Sequence, residues 1–217
     1  MNDISDDRIK QARFILSLRS AGVNDRRVLA ALERVPRRLF LSAQNQSHAE
    51  QDVPLPIECG QTTFAPSLVA YLTEKLMIPA NAKVLEIGTG SGYHTAILAQ
   101  IARQVFSLDR YRTLVDEAER RMATLRIENV ELRVRDGQRG LQQKGPFDAI
   151  LCSVAFSEKP DGLLAQLKDG GTLIAAIGRP GEEQQLIRYR KRDGSIQEEP
   201  LRSIRFRLAE DGEAHSL

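Results

Sequence analysis

Residues 84–99 read Val-Leu-Glu-Ile-Gly-Thr-Gly-Ser-Gly-Tyr-His-Thr-Ala-Ile-Leu-Ala, and this stretch decides the fold of the chain. Its first four residues are mostly apolar, which is typical of a short buried strand in a parallel sheet. Gly88, Gly90 and Gly92 then occupy alternate positions and allow a tight turn against which a ligand can lie. From Tyr93 onward, apolar residues return at helical spacing. A strand, a glycine turn and a helix with free N–H groups predict a nucleotide-type binding site.

The residues around the glycines narrow the choice of ligand. Their spacing is G-x-G-x-G, whereas pyrophosphate-binding turns carry G-x-G-x-x-G. Glu86, two residues before the first glycine, would repel a pyrophosphate but would suit an ammonium or sulfonium group. The next predicted strand ends in Asp109, 21 residues beyond Gly88, which is close to the offset at which an acid meets a ribose diol. The combination resembles motif I of the class I S-adenosylmethionine-dependent methyltransferases; the alternative is a glycine-rich turn of another nucleotide-binding fold.

Length, charge and composition exclude several classes of protein. At 217 residues the chain is long enough to bury one substantial core, and its net charge of +2 is too small to predict a nucleic-acid partner. Its apolar runs fall far short of the ~20 residues that span a bilayer, and its polar N-terminus does not read as a signal peptide. The two cysteines have no metal-ligand spacing. We therefore expect a cytoplasmic protein with reduced thiols, no metal site and no membrane association.

Apolar periodicity predicts the remaining elements of an α/β fold. Two amphipathic helices precede Pro36, the second capped by Asn24, and Pro66 is expected to begin a third. Near the end of the chain, residues 184–191 and 196–208 are expected to pair as antiparallel strands. The predicted architecture is a Rossmann-like, doubly wound, mostly parallel sheet of about seven strands, with N-terminal helices and a C-terminal antiparallel strand pair.

The segment before the glycine turn carries a more specific pattern. It contains, in this order before Leu85 to Tyr93, Val35-Pro36-Arg37, Asp52, Pro54-Leu55-Pro56-Ile57, Gly60-Gln61-Thr62 and Pro66. From the N-terminal helices to about Leu208, the chain resembles the protein-L-isoaspartate O-methyltransferases. The resemblance implies an enzyme that transfers methyl from S-adenosylmethionine to the α-carboxylate of isoaspartyl residues in damaged proteins or peptides, which allows their repair. We expect such an enzyme to act as a monomer.

The same resemblance assigns parts of the chain to the cofactor and the acceptor. One domain is expected over 1–217, with N-terminal helices and an acceptor loop over 1–79, a cofactor-binding core over 80–208 and a disordered tail over 209–217. Cofactor binding is expected at Glu86, Gly88, Thr89, Gly90, Ser91, Gly92, Asp109, Arg110, Asp136 and Gly137. Acceptor binding is expected at Asp52, Gln61 and Arg205, and the reaction beside Thr62, Thr63 and Phe64.

A particular contact can be considered for each of two residues near the cofactor, Asp136 and His94. Asp136 is expected to meet the adenine amino group, and the alternative is an ordinary Asp-Gly turn after a strand. His94, at the start of the helix after the glycines, could contact the cofactor but is expected to be an exposed first-turn residue.

The chain departs from the family pattern on the acceptor side. Phe64 stands where the family has a serine beside the reacting groups, Glu50 replaces an upstream tyrosine, and residues 204–208 read Ile-Arg-Phe-Arg-Leu where the family tends toward Val-Arg-Phe-Val-Pro. A carboxylate is already ionised at neutral pH, so methyl transfer to it needs no general base and the lost serine does not by itself remove the activity. Phe64 can close the site, suit another acceptor or pack in the core. Three functions therefore stay open: isoaspartyl methylation, methylation of a different acceptor, and cofactor binding without catalysis.

Overall fold

The computed structural model describes residues 3–20 and 22–215 of the chain. The strands are β1 (Leu55–Pro56), β2 (Thr62–Thr63), β3 (Lys83–Ile87), β4 (Gln104–Asp109), β5 (Val130–Val134), β6 (Phe147–Phe156), β7 (Leu167–Ile177), β8 (Gln184–Arg192) and β9 (Ser195–Ile204). The helices are α1 (Asp3–Ser20), α2 (Arg26–Arg34), α3 (Pro66–Leu76), α4 (Tyr93–Ile101), α5 (Arg112–Thr124) and α6 (Asp161–Leu164).

Local chemistry explains where two of these helices begin. The side chain of Asp25 accepts the Arg27 N–H at the start of α2, so Asp25 is the cap in place of the predicted Asn24. Pro66 begins α3 as predicted, because a first-turn residue needs no N–H for the helix ladder. Among the helices of the described part, none is both long and apolar enough to cross a bilayer.

In the described residues, the main sheet has seven strands in the spatial order β5-β4-β3-β6-β7-β8-β9. The first five in this order run parallel, while β8 and β9 are antiparallel to their neighbours. This arrangement confirms the predicted mostly parallel sheet with a C-terminal antiparallel pair. The chain crosses over at β3, which lies between β4 and β6, and ligands of open α/β sheets bind at such a switch point, outside the carboxyl ends of the strands.

The central strands β3, β4 and β6 are buried on both faces, as their continuous apolar runs require. Val84 belongs to a core cluster that includes side chains of α3 and α4, while its neighbour Leu85 points to the opposite cluster, which includes side chains of α6. A third cluster joins α1 and α2 to α3 and α4 through residues such as Leu32 and Ile97. The N-terminal helices therefore support the two helices that flank the glycine turn.

The end of the chain differs from the disordered tail expected over residues 209–217. The Ala214 N–H donates to the carbonyl of Arg110 over 2.8 Å, and the Arg110 guanidinium donates to the carbonyl of Gly212 over 3.1 Å. Residues 209–215 are thus held across the carboxyl end of β4 by hydrogen bonds that composition cannot predict. Residues 216–217 lie outside the described part.

Candidate active site

A cleft opens at the carboxyl ends of β3, β4, β5 and β6. Two loops contribute to its walls, the acceptor loop (residues 57–64) and the glycine loop (residues 88–92). The predicted site residues that line the cleft are Gln61, Thr62, Thr63, Phe64, Gly88, Thr89, Gly90, Ser91, Asp109, Arg110, Asp136 and Gly137. The predicted site residues outside its lining are Asp52, Glu86, Gly92 and Arg205. The structure therefore brings the expected donor and acceptor sides together and leaves four of the predicted residues outside the cleft lining.

The glycine loop requires backbone that other residues adopt only with strain. Gly88 and Gly90 have φ values of +92° and +54°, in the left-handed region that favours glycine. A Cβ at Gly88 would also lie 3.2 Å from the Cβ of Ser153, so a side chain there would crowd the end of β6. The loop can thus present bare backbone to a ligand in the cleft.

Asp109 ties the end of β4 to this loop. Its carboxylate accepts the N–H of Gly90 at 2.9 Å and the N–H of Tyr111 at 3.0 Å. Burial raises the pKa of Asp109, while these N–H donors act in the opposite direction. The carboxylate lines the cleft, where its remaining lone pairs can accept two hydroxyl groups of a ribose.

Asp136 serves a turn and lines the cleft at once. Its side chain accepts the N–H of Gln138 at 3.0 Å, which caps a short 3-10 turn, and the N–H of Gly212 at 3.2 Å. Gly137 has no room for a side chain, because an added Cβ would lie 2.4 Å from Cγ2 of Ile87. The Asp-Gly turn and the placement at the cleft are therefore both present.

Gly92 differs from its predicted role as a cofactor contact. It has a φ of +85° and precedes α4, and a Cβ there would lie 3.0 Å from both Cβ of Ala118 and Cε of Met122 on α5. The third glycine of the loop therefore permits close packing of α5, and it does not line the cleft.

Glu86 also differs from its prediction as a cofactor contact. It is fully buried, and its Oε2 accepts hydrogen bonds from the hydroxyls of Thr95 and Ser107. The Ser107 hydroxyl also lies 2.6 Å from that of Thr89, so Glu86 connects to the glycine loop from behind. Burial raises the pKa of Glu86 to about 7, and the two hydroxyl donors moderate the rise.

Arg37 holds the residues that lead into and through the acceptor loop. Its buried guanidinium donates to the carbonyls of Gln51 (2.9 Å), Val53 (2.8 Å) and Phe64 (3.1 Å), with a longer bond to Ala49 (3.3 Å). Burial lowers the pKa of Arg37. Sequence reasoning matched this arginine to the family pattern but assigned it no role, because four carbonyl partners leave no trace in side-chain identity.

Asp52 and Arg205, which were assigned to the acceptor, lie outside the cleft lining. The carboxylate of Asp52 accepts the Ser67 N–H at 2.8 Å, in the first turn of α3, so it satisfies a free donor of that helix. Arg205 is exposed outside the cleft, whereas Arg207, two residues further on, lines it.

Phe64 both lines the cleft and packs against the core. Its ring stacks on that of Phe206, with centroids 4.6 Å apart and an angle of 20° between the planes. Thr63 is 8% exposed, while Thr62 is exposed, as the pleat of β2 requires of neighbours. The family serine position is thus occupied by part of an apolar wall.

His94 is buried, in contrast to the exposed residue expected from its place in the helix. Its Nε2 lies 2.8 Å from the hydroxyl of Thr73, which donates its own proton to the Val69 carbonyl at 2.7 Å. Nε2 must therefore carry the proton of the imidazole. Burial lowers the pKa of His94 to about 3, so the ring lines the cleft as a neutral group.

The charged residues that line the cleft are three acids, Asp109, Asp136 and Glu210, and two arginines. Arg110 and Arg207 are the arginines that line it, and no lysine of the described residues does. In the same part of the chain, no group of three or more His, Cys, Asp or Glu side chains is placed to hold a metal ion.

The parallel sheet with its crossover at β3, the glycine loop and the acid at the end of β4 define a class I methyltransferase fold. Residues 9–214 match the family model described as protein-L-isoaspartate(D-aspartate) O-methyltransferase, and the chain belongs to this family.

Curated relatives match almost from end to end. A protein-L-isoaspartate O-methyltransferase of Azorhizobium caulinodans is 49% identical over 206 residues, which cover 95% of each chain. One of Maricaulis maris is 43% identical, over 96% of this chain and 97% of that protein.

Solved structures agree on the fold. A protein-L-isoaspartate O-methyltransferase superposes with a TM-score of 0.85 at 28% identity, covering 93% of this chain and 66% of that chain. A crystal structure from Plasmodium falciparum, in complex with S-adenosyl-L-homocysteine, superposes with a TM-score of 0.80 at 23% identity, covering 91% of this chain and 97% of that one.

The raised pKa of Glu86 predicts a pH-dependent stability. Because the folded state holds this proton up to about pH 7 and the unfolded state only to about 4.5, rising pH across this window removes roughly 3 kcal/mol of stability. Glu86→Gln removes the titrating group. Urea unfolding from pH 4.5 to 8 should therefore show the variant gaining on the unsubstituted protein as pH rises. Glu119→Gln, at an exposed position, is the control; parallel curves for Glu86→Gln and the unsubstituted protein would contradict the assignment.

Gly92→Ala should destabilise the fold. The added methyl group meets two side chains of α5, and the left-handed backbone adds strain, so we expect a loss of about 1–3 kcal/mol in the free energy of unfolding. Gly194→Ala is the matched control, because that glycine also has a left-handed backbone, with a φ of +74°, and an added Cβ there meets nothing within 4 Å. Equal losses in urea unfolding would show that contact with α5 is not the cause.

Proposed function

We propose that this protein transfers the methyl group of S-adenosylmethionine to the α-carboxylate of isoaspartyl residues in proteins and peptides. The observation that carries the proposal is the shared cleft, in which residues 61–64 of the acceptor loop and residues 88–91 of the glycine loop form parts of one lining. Membership of the family supports the same activity, since the match extends over the acceptor loop as well as the glycine loop.

The donor side of the cleft fits S-adenosylmethionine. Gly88 and Gly90 would let the cofactor lie against bare backbone, Asp109 would accept the ribose hydroxyls, and Asp136 would face the adenine. When bound, S-adenosylmethionine supplies a methyl group that is made electrophilic by its sulfonium. Glu86, behind the loop and outside the cleft lining, would support this side through Ser107.

The acceptor side needs to align a carboxylate and exclude water. The acceptor is already ionised at neutral pH, so no side chain has to remove a proton. Arg37 fixes the loop that carries Thr62 and Thr63, and the exposed hydroxyl of Thr62 is available to the acceptor. The stacked rings of Phe64 and Phe206 keep water from one wall, which favours the alignment on which the rate depends.

Phe64 favours a second candidate, a methyltransferase of the same fold with another acceptor. Its ring places apolar surface where a hydroxyl is expected, and an apolar acceptor would gain from it. Phe64→Ser distinguishes the two. A large gain in isoaspartyl methylation would indicate a repair enzyme weakened by the phenylalanine, whereas little gain together with low basal activity would favour the other acceptor.

A cofactor-binding protein without catalysis is the remaining alternative, and methylated product above background would remove it. That the protein acts as a cytoplasmic monomer, without a nucleic-acid or membrane partner, stays a prediction.

Labelled methyl transfer tests the proposed activity directly. With S-adenosylmethionine as donor, an isoaspartyl peptide should be methylated and the same peptide with a normal aspartyl residue should not. The physical reason is that the isoaspartyl linkage leaves an α-carboxylate free beside the main chain. Calorimetry of cofactor binding is the control, because tight binding without transfer to the isoaspartyl peptide would contradict the acceptor and leave the donor side intact.

Asp109→Asn should weaken cofactor binding. The amide retains one oxygen for the Gly90 N–H but loses the charge that accepts the ribose hydroxyls, so the Kd for S-adenosylmethionine should rise roughly 10- to 100-fold. Asp116→Asn, at an exposed position on α5, is the matched control for calorimetry. A Kd unchanged in the Asp109 variant would remove this residue from the cofactor site.

A further inference from the structure

We infer that Arg207 binds the carboxylate of the methyl acceptor. The inference rests on the proposed function, which makes that acceptor an anion. Such an anion needs a cation on the acceptor side of the cleft, and the arginines that line the cleft are Arg110 and Arg207.

The guanidinium of Arg110 is already occupied by contacts within the protein. It pairs with the carboxylate of Glu210, donates to the carbonyls of Asp211 and Gly212, and lies 5.2 Å from the centre of the Tyr111 ring. These contacts hold the end of the chain across β4, on the donor side. Releasing Arg110 for an acceptor would remove all of them.

The guanidinium of Arg207 makes no comparable set of contacts within the described residues. Among these residues it forms no ion pair, and it donates to a neutral partner, the carbonyl of Gly60, over 2.7 Å. The residue is exposed, so its charge is reachable from solvent. A guanidinium carries five N–H donors in a fork that matches a carboxylate, and a carboxylate adds the attraction of opposite charges to the hydrogen bond that a carbonyl accepts. An acceptor carboxylate in the cleft can therefore take the place of the Gly60 carbonyl.

The backbone of Arg207 is fixed at the end of β6, and its guanidinium extends to the Gly60 carbonyl. The Ala155 N–H donates to the Arg207 carbonyl at 2.8 Å, which pins its backbone to the end of β6. The preceding residue, Phe206, stacks on Phe64 of the acceptor loop. The guanidinium thus reaches from the segment after β9 to Gly60 of the acceptor loop, whose Phe64 lines the same cleft.

This placement gives the acceptor a cation, which residues 57–64 of the acceptor loop lack. Phe64 provides no hydroxyl, so the Thr62 hydroxyl would share the carboxylate with N–H groups that come from another wall. A cation beside an apolar surface also offsets the cost of taking a carboxylate out of water.

Steady-state kinetics with an isoaspartyl peptide tests the role of Arg207. Arg207→Gln keeps an N–H that can donate to the Gly60 carbonyl but removes the charge. We expect the KM for the peptide to rise roughly 10- to 100-fold, kcat to change less than about threefold, and the Kd for S-adenosylmethionine to stay the same. Arg207→Lys should recover part of the loss, because it restores the charge without the fork.

Two neighbouring arginines make the comparison specific. Arg202→Gln is the neutral control, since that side chain lies over the Tyr71 ring, 5.4 Å from its centre, and outside the cleft lining. Arg205→Gln tests the assignment made from sequence. A rise in KM for the Arg205 variant with none for the Arg207 variant would overturn the inference.

The possible results distinguish a failure of the role of Arg207 from a failure of the proposed function. If the unsubstituted protein methylates the peptide and Arg207→Gln has an unchanged KM, the role of Arg207 is wrong and the activity stands. A KM and a cofactor Kd that rise in the same proportion would show that Arg207 merely supports the cleft, which also overturns the inference. If the unsubstituted protein binds the cofactor and methylates no isoaspartyl peptide, the proposed function is wrong, and the role of Arg207 in acceptor binding is wrong as well.

Discussion

The parallel register of β3 on β4 is the constraint on which the site depends. Ile87 lies opposite Leu108, so the glycine loop and Asp109 leave the sheet side by side at its carboxyl edge. The Gly88 N–H then donates to the Leu108 carbonyl at 2.8 Å, and the Gly90 N–H reaches the carboxylate of Asp109. A slip of one residue would turn each side chain of β4 to the other face and separate the acid from the loop.

The acceptor side depends on a different kind of support. β1 and β2 form a pair of only two residues each, which cannot be stable alone. Two arginines support this side in place of regular secondary structure. Arg37 donates to carbonyls before the loop and to that of Phe64 at its end. Arg121 donates to the Ser91 carbonyl at 3.0 Å and pairs with Glu58 at 3.3 Å. Because Ser91 belongs to the glycine loop, this last link holds the donor and acceptor walls in a fixed relation.

Sequence predicted the features that follow from periodicity and spacing, and missed those that depend on where a side chain points. The sheet, the loop and Asp109 follow from a strand, a turn and an interval along the chain. Glu86 did not, because a strand buried on both faces gives no alternation that marks the side of a polar residue. Arg207 lines the cleft and Arg205 does not, which sequence could not predict because β9 ends at Ile204 and no regular alternation of side chains follows it.

Phe64 and Arg207 are best understood as one change in the acceptor wall. An apolar surface lowers the local dielectric, which makes an unpaired carboxylate more costly and a paired one more strongly held. A serine hydroxyl can donate to the carboxylate in a hydrated site. The Phe64 ring, stacked on Phe206, supplies no donor and excludes water that could act as one. The wall that gains the ring therefore requires a cation within reach, and the guanidinium bonded to Gly60 occupies the position from which it can serve that need.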